Sequence, residues 1–505
     1  MASHPASLAR EAYHKGDYRL AERLFRSLCA GEPHEPVWHL DLATLCITLI
    51  RFEEAEESLK RAAACGAGSA DTLRQVALCY FSMFRFGEAR RILEPEAEAG
   101  HLPSLLGLLL VMEREGLLEE TAALLDKALA RHPSHPELRL LRAQVMVRQG
   151  KLEAAESLAR ALLVSGPPFL IHSKAGYLLA GIFDRTERYA EAASLLGQIK
   201  QALRARPEVN ALRKEFRDRM SLARDLAAAF SADQFSLWRD EAAQQPLAFR
   251  PALLCGHPRS GTTLMEARIE RLENVISFDE TGAFDGGALS SAGITGRVNL
   301  MRALRPNGGG LASSARGHYA RSIASLHRRP LTGQPLVVDK NPTQLLNLPL
   351  WLRLLPEVRF LVALRDPRDV VVSSYFFDLP PNATSVQFLD WESTARHYVS
   401  LMDLWRQMKD KLPAGSWLES RYEDFVADTG AETSRVAGFL GLSIGEKTGG
   451  DSSATLNSPN YATATKPVHA RSVGRWRHYE EHLLSSGKDL EPFLKAFGYQ
   501  APGGS

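Results

Sequence analysis

The stretch Pro251-Ala-Leu-Leu-Cys-Gly-His-Pro-Arg-Ser-Gly-Thr-Thr263 decides the fold of the second half of the chain. Its first five residues form an apolar run that predicts a strand, and Gly256 and Gly261 then bracket four residues ahead of a predicted helix. Small residues let the backbone N–H groups of such a loop turn inward, and the following helix offers its N-terminal dipole to an anion. The stretch therefore predicts a phosphate-cradling loop between a strand and a helix.

The loop departs from that of nucleotide triphosphatases at one position. In the pattern G-x-x-x-x-G-K-S/T the lysine contacts the β- and γ-phosphates. Here Thr262 occupies the place of that lysine, and the cation of the loop is Arg259. The sequence therefore disfavours an ordinary ATPase or a nucleotide kinase, which would show Mg²⁺-dependent ATP turnover.

A second strand and helix predict another part of an anion site. Residues 358–364 form a β-rich apolar run, and Arg365 follows it directly. Ser373 comes two helical turns later, so both side chains are able to face one anion. The alternative is that Arg365 pairs with Asp366 or Asp369 on a solvated surface.

Together these motifs resemble those of sulfotransferases that use 3′-phosphoadenosine 5′-phosphosulfate (PAPS). Arg365 and Ser373 match the family's arginine and serine that bind the 3′-phosphate of the donor. The resemblance implies a P-loop-like α/β domain with a central parallel sheet, PAPS as donor, 3′-phosphoadenosine 5′-phosphate (PAP) as product and no metal. It also implies that the 5′-phosphosulfate is held by Pro258, Arg259, Ser260, Gly261, Thr262 and Thr263.

Two later segments are similar to donor-site segments of the same family. Tyr422 opens the stretch Tyr-Glu-Asp-Phe, and residues 466–476 resemble the basic loop that closes over the donor. Guanidinium groups there would pair with phosphate, and a Trp or Tyr ring would stack on adenine. The alternative for this stretch is the start of a basic surface helix. Its informative members are Arg471, Ser472, Gly474, Arg475 and Trp476.

The acceptor hydroxyl must lose a proton, so the reaction needs a general base. Residues 277–281, Ser-Phe-Asp-Glu-Thr, stand where tyrosylprotein sulfotransferases carry a Gly-Glu-Glu-Thr segment. This resemblance implies that Glu280 is the base. Asp279 and His318 are the alternatives, and both carboxylates would instead cap the following segment if neither is catalytic.

A lysine after the strand-like run at residues 337–338 completes the predicted catalytic set. Lys340 resembles the lysine of an Asn-Lys-Asp-Pro segment in the tyrosylprotein branch. We expect it to point into the cleft, where a cation would stabilise charge on the bridging oxygen. The alternative is a solvated lysine at a strand end.

Residues 1–205 show a helical repeat with a period of 34 residues. This pattern resembles tetratricopeptide repeats, which form an all-α superhelix whose concave face binds peptides or proteins. The alternative use of the array is to dimerise the enzyme or to buttress the catalytic domain. Six units are predicted near residues 2–35, 36–69, 70–101, 102–135, 136–169 and 173–205. The repeated positions include Ala21, Ala55, Ala89 and Ala123, with Tyr18, Phe52 and Phe86, and Phe25, Leu59 and Leu93.

The remaining sequence sets the domain boundaries and the surroundings of the site. Residues 206–247 predict a helical connector, and residues 248–505 the sulfotransferase domain. Segments 282–310 and 378–387 are expected to be loops that either shape the acceptor site or are disordered insertions. Residues 445–458 are also loop-like.

Composition bounds the partners and the compartment. The net charge is +2, which gives no support to nucleic-acid binding. The N-terminus has no apolar signal core, and no long apolar run predicts a membrane span. The five cysteines are odd in number and fit a reducing cytoplasm.

Three functions remain open on this evidence. The first is PAPS-dependent sulfation of a tyrosine in a peptide or protein that the repeats deliver. The second keeps the chemistry but takes a small hydroxylated metabolite, carbohydrate or lipid as acceptor. Removal of the array would cripple turnover of a protein substrate and spare turnover of a phenol. The third is a repeat scaffold whose catalytic domain is inactive.

Overall fold

The computed structural model describes residues 5–305, 308–443, 445 and 470–500. Parts of several sequence predictions lie outside these residues: 1–4 of the repeat array, 306–307 of segment 282–310, most of the polar stretch 445–458, 466–469 of the basic segment, and 501–505 of the second domain. Within the described residues, an all-helical region precedes an α/β domain with a central parallel sheet. This confirms the predicted fold class.

Six helix pairs make up the first part of the described chain. The pairs are α1 Pro5–His14 with α2 Tyr18–Gly31, α3 Pro36–Thr48 with α4 Phe52–Cys65, α5 Ala70–Ser82 with α6 Phe86–Glu98, α7 Leu102–Arg114 with α8 Leu118–Arg131, α9 Pro136–Arg148 with α10 Leu152–Val164, and α11 Phe169–Arg185 with α12 Tyr189–Arg204. Two further helices follow, α13 Glu208–Ala229 and α14 Gln234–Ala243.

The fourth residue of each second helix lies in the core between the paired helices. A small side chain at this position lets the two helices approach closely. The prediction that Ala123 repeats this position is wrong, because Ala123 is exposed. Helix α8 begins at Leu118, two residues earlier than a period of 34 from Phe86 requires, so the fourth pair is out of step with the first three. The buried residues at this position are Ala21, Ala55, Ala89, Thr121, Ala155 and Ala192.

The sheet of the second domain consists, in the described chain, of five parallel strands in the order β2-β3-β1-β4-β5. Apolar side chains cover both faces of the sheet, as is usual for parallel sheets. All carboxyl ends therefore lie at one edge, where ligands of such sheets bind. The strands are β1 Arg250–Gly256, β2 Val275–Asp279, β3 Leu336–Lys340, β4 Arg359–Leu364 and β5 Trp417–Arg421.

Helices cover the sheet and extend to the C-terminus. The α-helices are α15 Thr262–Ile269, α16 Gly296–Ala303, α17 Gly309–His327, α18 Leu348–Leu354, α19 Pro367–Tyr375, α20 Trp391–Lys409, α21 Tyr422–Ala427, α22 Thr429–Leu440, α23 Glu480–Leu483 and α24 Gly487–Ala496. The 3₁₀ turns are Pro342–Asn347, Ser385–Leu389, Ala470–Ser472, Arg475–Tyr479 and Leu484–Ser486, and Ala283–Ser290 is a π-helix.

The segment after β2 differs from the loop that its glycine, serine and alanine content predicted. In residues 282–305 the chain forms the π-helix and α16, and it buries apolar side chains against α17 and α18. Phe284 stacks on Trp351 with ring centroids 4.1 Å apart. This burial of apolar area overrides the low helix propensity of glycine.

The repeats contact the α/β domain through the turns that join paired helices. In the α3–α4 turn the backbone N–H of Phe52 donates to Ser325 Oγ at 3.2 Å. Near the α5–α6 turn, Glu88 pairs with Arg328 at 3.7 Å. The array therefore lies directly on α17. No helix within residues 5–305, 308–443 or 470–500 is long and apolar enough to cross a membrane.

Candidate active site

Two glycines fix the shape of the loop between β1 and α15. Gly256 has φ +146°, and a Cβ built there would lie 2.5 Å from the carbonyl oxygen of Ala363. Gly261 has φ +93°, and its Cβ would lie 2.5 Å from Tyr422 Cδ2. Neither position accepts a larger residue without movement, so the backbone passes close to β4 and α21. The close approach brings the loop against the ring of Tyr422.

Arg259, Arg365 and Ser373, which the sequence assigned to two different anionic groups of the donor, lie together beside this loop. Arg259 Nε donates to Ser373 Oγ at 3.1 Å, and Arg365 Nη1 donates to the carbonyl of Arg259 at 3.2 Å. Arg365 Nε is buried without a hydrogen-bond partner among the described residues. A buried guanidinium N–H in this state is suited to an anionic ligand.

The alternative, in which Arg365 pairs with Asp366 or Asp369 on a solvated surface, does not agree with the structure. Asp366 pairs with Arg368 at 2.7 Å. The carboxylate of Asp369 accepts the backbone N–H groups of Gly474 at 2.7 Å and Trp476 at 2.8 Å. The two neighbouring aspartates therefore build the site, and Arg365 faces the loop.

The cations of this cluster perturb one another. Burial, the larger cause, together with the charges of Arg365 and Arg475, lowers the pKa of Arg259 to about 10. The guanidinium of Arg259 also lies over the ring of Phe377, 4.2 Å from its centroid. A bound anion would relieve this repulsion, because it supplies the missing negative charge.

Two buried histidines support the loop, a feature that the sequence analysis missed. His257 Nδ1 lies 2.6 Å from the carbonyl oxygen of Pro258, and its Nε2 lies 2.8 Å from Nδ1 of His397. Since a carbonyl only accepts, His257 carries its hydrogen on Nδ1, and His397 donates to its Nε2. Burial lowers the pKa of His257 to about 4 and that of His397 well below its ordinary value. The pair is therefore neutral and ties the loop to α20.

Lys340 lies within a group of carboxylates and is 0% exposed. Its Nζ contacts Asp279, lies 3.4 Å from Glu280 Oε1 and lies 3.7 Å from Glu266 Oε2. Burial alone would lower the pKa of Lys340, but the three carboxylates raise it. The expectation that Lys340 points into the open cleft is therefore not met, because its ammonium is enclosed by these partners.

Glu280 is the member of this group that faces solvent. Its side chain retains 46% of its exposure, whereas that of Asp279 retains 0%. The backbone of Glu280 has φ +51°, and its N–H donates to the carbonyl of Lys340 at 2.9 Å. Desolvation by surrounding protein and the charge of Asp279 raise the pKa of Glu280, against the effect of Lys340. The geometry favours Glu280 over Asp279 as a group that reaches a substrate.

The third candidate base lies in a different environment. His318 is half-buried on α17. Burial first, and then the charges of Arg321, Arg51 and Arg19, lower its pKa. Two of these arginines belong to the repeats, so His318 lies at the junction between the array and the α/β domain.

The late basic segment, as far as it is described, lies against α19, the helix that carries Ser373, which we call the donor helix. The carbonyl of Ser472 accepts from Arg365 Nη2, and Arg471 is exposed. Trp476 is buried, and the guanidinium of Arg368 lies 3.7 Å from its ring centroid. Arg368 therefore lies over one face of the ring that was expected to stack on adenine. Tyr422, over which Arg365 lies at 4.8 Å, is the more accessible ring.

Arg475 was expected to face a phosphate directly, and the structure pairs it with the repeat array. Its Nε donates to Asp184 Oδ1 at 3.0 Å. Asp184 lies at the end of α11, far from any motif of the catalytic domain in sequence. No sequence signal marked it, because the contact is formed only in the tertiary fold.

Comparison with protein families agrees with this division of the chain. Residues 251–446 match the model of the sulfotransferase family. Residues 7–70 and 114–168 match models of the tetratricopeptide repeat. A search of the curated proteins found no match.

Among solved structures, the sulfotransferase domain from the Synechococcus PCC 7002 olefin synthase is 19% identical, with a TM-score of 0.34, over 51% of this chain and 98% of that chain. The sulfotransferase STF9 from Mycobacterium avium is 12% identical, with a TM-score of 0.32, over 67% and 93% of the two chains. Pseudomonas aeruginosa pilF is 18% identical, with a TM-score of 0.31, over 42% and 96%. We draw no argument from likenesses this weak. On the family matches, the chain joins tetratricopeptide repeats to a sulfotransferase-family domain.

Proposed function

We propose that the chain transfers a sulfuryl group from PAPS to an acceptor hydroxyl, that of a tyrosine in a peptide or protein. One observation carries the proposal. The strand order places Glu280, Lys340, the glycine loop, Arg365 and Tyr422 side by side at the carboxyl edge of one parallel sheet. The candidate base Glu280 follows the strand at one end of this edge, and the candidate anion cradle extends from the middle strand β1 toward the other end.

The donor end has the chemistry that a doubly anionic nucleotide requires. Arg259 and Ser373 already share a hydrogen bond of 3.1 Å, and the buried Nε of Arg365 has no protein partner among the described residues. The glycine loop brings backbone N–H groups and the N-terminus of α15 to the same place. These residues fit PAPS, which supplies the sulfuryl group when bound.

The transfer itself needs one proton acceptor and a stabilised leaving group. Glu280 takes the proton of the acceptor hydroxyl, whose oxygen then forms a bond to sulfur. The bond between sulfur and the 5′-phosphate oxygen breaks, and PAP leaves with that electron pair. Arg259 and the loop N–H groups face the phosphate on which the negative charge develops.

Lys340 is best placed to act through Glu280. Its ammonium lies 3.4 Å from Glu280 Oε1 and is enclosed by the carboxylates. Such a cation holds the base in position and favours its ionised form. This role replaces direct contact of Lys340 with the bridging oxygen in our proposal.

The position of the repeats supports a peptide or protein acceptor. The turn between α3 and α4 packs on the segment that follows Glu280, since Gly286 approaches the carbonyl of Thr48 and Gly287 approaches Ile50. A substrate bound to the array would therefore be held beside the base. Repeat arrays present extended concave surfaces that are suited to binding a polypeptide.

The proposal is tested with the purified full-length chain and PAPS. Release of PAP is measured with a tyrosine-containing peptide and with a small phenol, and the sulfated product is identified by mass. We expect transfer to the peptide, and a loss of about a hundredfold or more in Glu280→Gln. Glu392→Gln, which changes an exposed carboxylate that pairs with Arg396 on α20, is the matched control and should keep full activity.

Three results would contradict parts of the proposal. No PAP release with any acceptor would remove sulfuryl transfer. Full activity of Glu280→Gln would remove Glu280 as the base. Turnover of the phenol with equal or higher kcat/KM than the peptide would favour a small hydroxylated acceptor instead.

A further inference from the structure

Residues 472–479 form a bridge between the donor helix α19 and the sixth helix pair. On the donor side, Asp369 accepts the N–H groups of Gly474 and Trp476, and Arg365 donates to the carbonyl of Ser472. On the repeat side, the turn between α11 and α12 receives the side chains of Arg475 and Tyr479. The segment that borders the donor site is therefore hydrogen-bonded to the sixth pair as well as to α19.

Asp184 is the centre of the contact on the repeat side. Its Oδ1 accepts from Arg475 Nε at 3.0 Å and from the hydroxyl of Tyr479 at 2.6 Å. The side chains of Asp184 and Arg475 are only 17% and 19% exposed. A charge-assisted pair that is shielded from water in this way fixes the orientation of the guanidinium more firmly than an exposed pair does.

Asp184 contacts one edge of the Arg475 guanidinium. Asp184 Oδ1 lies 3.0 Å from both Nε and Nη2 of Arg475. The Nη1 nitrogen takes no part in that contact, and its N–H groups are where a second, anionic partner would bind. The plane of the same guanidinium lies over Phe376, 4.5 Å from the ring centroid, and Phe376 directly follows the donor helix.

Arg475 also belongs electrostatically to the donor cluster. Its charge is one of those that lower the pKa of Arg259. Of Arg259, Arg365 and Arg475, only Arg475 has a carboxylate within 4.0 Å in the part of the chain that the structure describes. Asp184 therefore orients and partly balances a cation that would otherwise be repelled from the other two.

We propose that the sixth helix pair completes the donor site, with Asp184 as a positioning residue that holds Arg475 toward an anionic group of the nucleotide. The inference rests on the proposed function, because it takes PAPS and PAP as the ligands. It assigns to the repeat array a direct part in donor binding, in addition to any part in binding the acceptor.

Calorimetric titration of the full-length chain with PAP tests this inference. We expect Asp184→Ala to weaken PAP binding by about tenfold, the change that corresponds to one charge-assisted hydrogen bond. Asp184→Asn keeps an oxygen that accepts from Arg475 Nε, so its affinity should lie between those of Asp184→Ala and the wild type. In steady-state turnover the KM for PAPS should rise in Asp184→Ala while kcat is retained.

Glu191→Gln is the matched control, since Glu191 is an exposed carboxylate on α12 that pairs with Arg188. It should bind PAP like the wild type. If Asp184→Ala does not fold, as shown by its unfolding transition without PAP, Asp184→Asn decides the question. Unchanged or tighter PAP binding in the folded variants would overturn the inference. Absence of PAP binding by the wild type would instead overturn the proposed function.

Discussion

Replacement of Gly261 by alanine is the most specific perturbation of the donor cradle. The substitution adds one methyl group at φ +93°, which costs about 1 kcal/mol in backbone strain. It also places Cβ 2.5 Å from Tyr422 Cδ2, nearly 1 Å short of the 3.4 Å at which ordinary contact begins. Relief of that contact moves the loop or the ring, at a cost of about 1–3 kcal/mol. Since displacements of this size strongly affect ligand geometry, we expect the Kd for PAP to rise by about tenfold to a hundredfold.

Gly333→Ala separates the contact from the backbone strain. Gly333 has φ +74° and no heavy atom within 4 Å of an added Cβ, and it precedes β3 at the opposite end of the sheet. Calorimetric titration with PAP and the unfolding temperature are measured for both variants. We expect both to lose some stability but only Gly261→Ala to lose affinity. Wild-type affinity in Gly261→Ala would refute the assignment of this loop as the phosphate cradle.

Three other predictions concern titratable groups. Because the pKa of Glu280 is raised, kcat/KM should fall as the pH decreases through that raised pKa, and a profile that is flat down to the ordinary range of a glutamate would contradict a basic role. Burial lowers the pKa of Lys200 to about 7, so the unfolded chain binds more protons and stability should increase with pH from about 7 to 10. Lys200→Met should remove up to about 1.4 kcal/mol per pH unit of that slope in urea unfolding, and an unchanged slope would exclude Lys200 as its source. His397→Leu leaves Nε2 of His257 buried without a donor, so PAP binding should weaken several-fold, and unchanged binding would show that the loop does not depend on the histidine pair.

The strands and their ends could be predicted because they depend on local sequence. Strands β1 and β4 are short apolar runs, and the parallel arrangement brings the residues after them to one edge. Arg365 could be selected for this reason, whereas Glu280 and Tyr422 were predicted from the resemblance of their segments to those of sulfotransferases. The glycine loop could also be predicted, because two glycines bracket its motif. In the structure both glycines have positive φ values, which glycine adopts without strain.

The parts that sequence did not reveal depend on contacts between distant residues. Asp184 is about 290 residues from Arg475, and nothing in its surroundings distinguishes it from other acidic residues of the array. His257 and His397 are 140 residues apart in sequence, so their contact could not be predicted. His257 itself lies inside the loop motif. Lys340 was correctly placed at a strand end, but its orientation follows from Glu266 and Asp279, which sequence did not connect to it.

The repeats show a different limit of prediction from sequence, which concerns the register of the repeated positions. A fixed period of 34 selects Ala123, whereas the fourth pair starts two residues early and buries Thr121 instead. The second helix of each pair keeps its buried fourth position, so the packing rule holds while the count changes. Periodicity therefore located the array but not every buried residue within it.

The most direct test of the central claim is transfer of radiolabel from ³⁵S-PAPS into a lysate of the source cell by the full-length chain, compared with Glu280→Gln. The account predicts label on a protein band with the wild type and its loss in the variant. Label that appears only in the small-molecule fraction would contradict the protein acceptor. Absence of label in both fractions would contradict sulfuryl transfer.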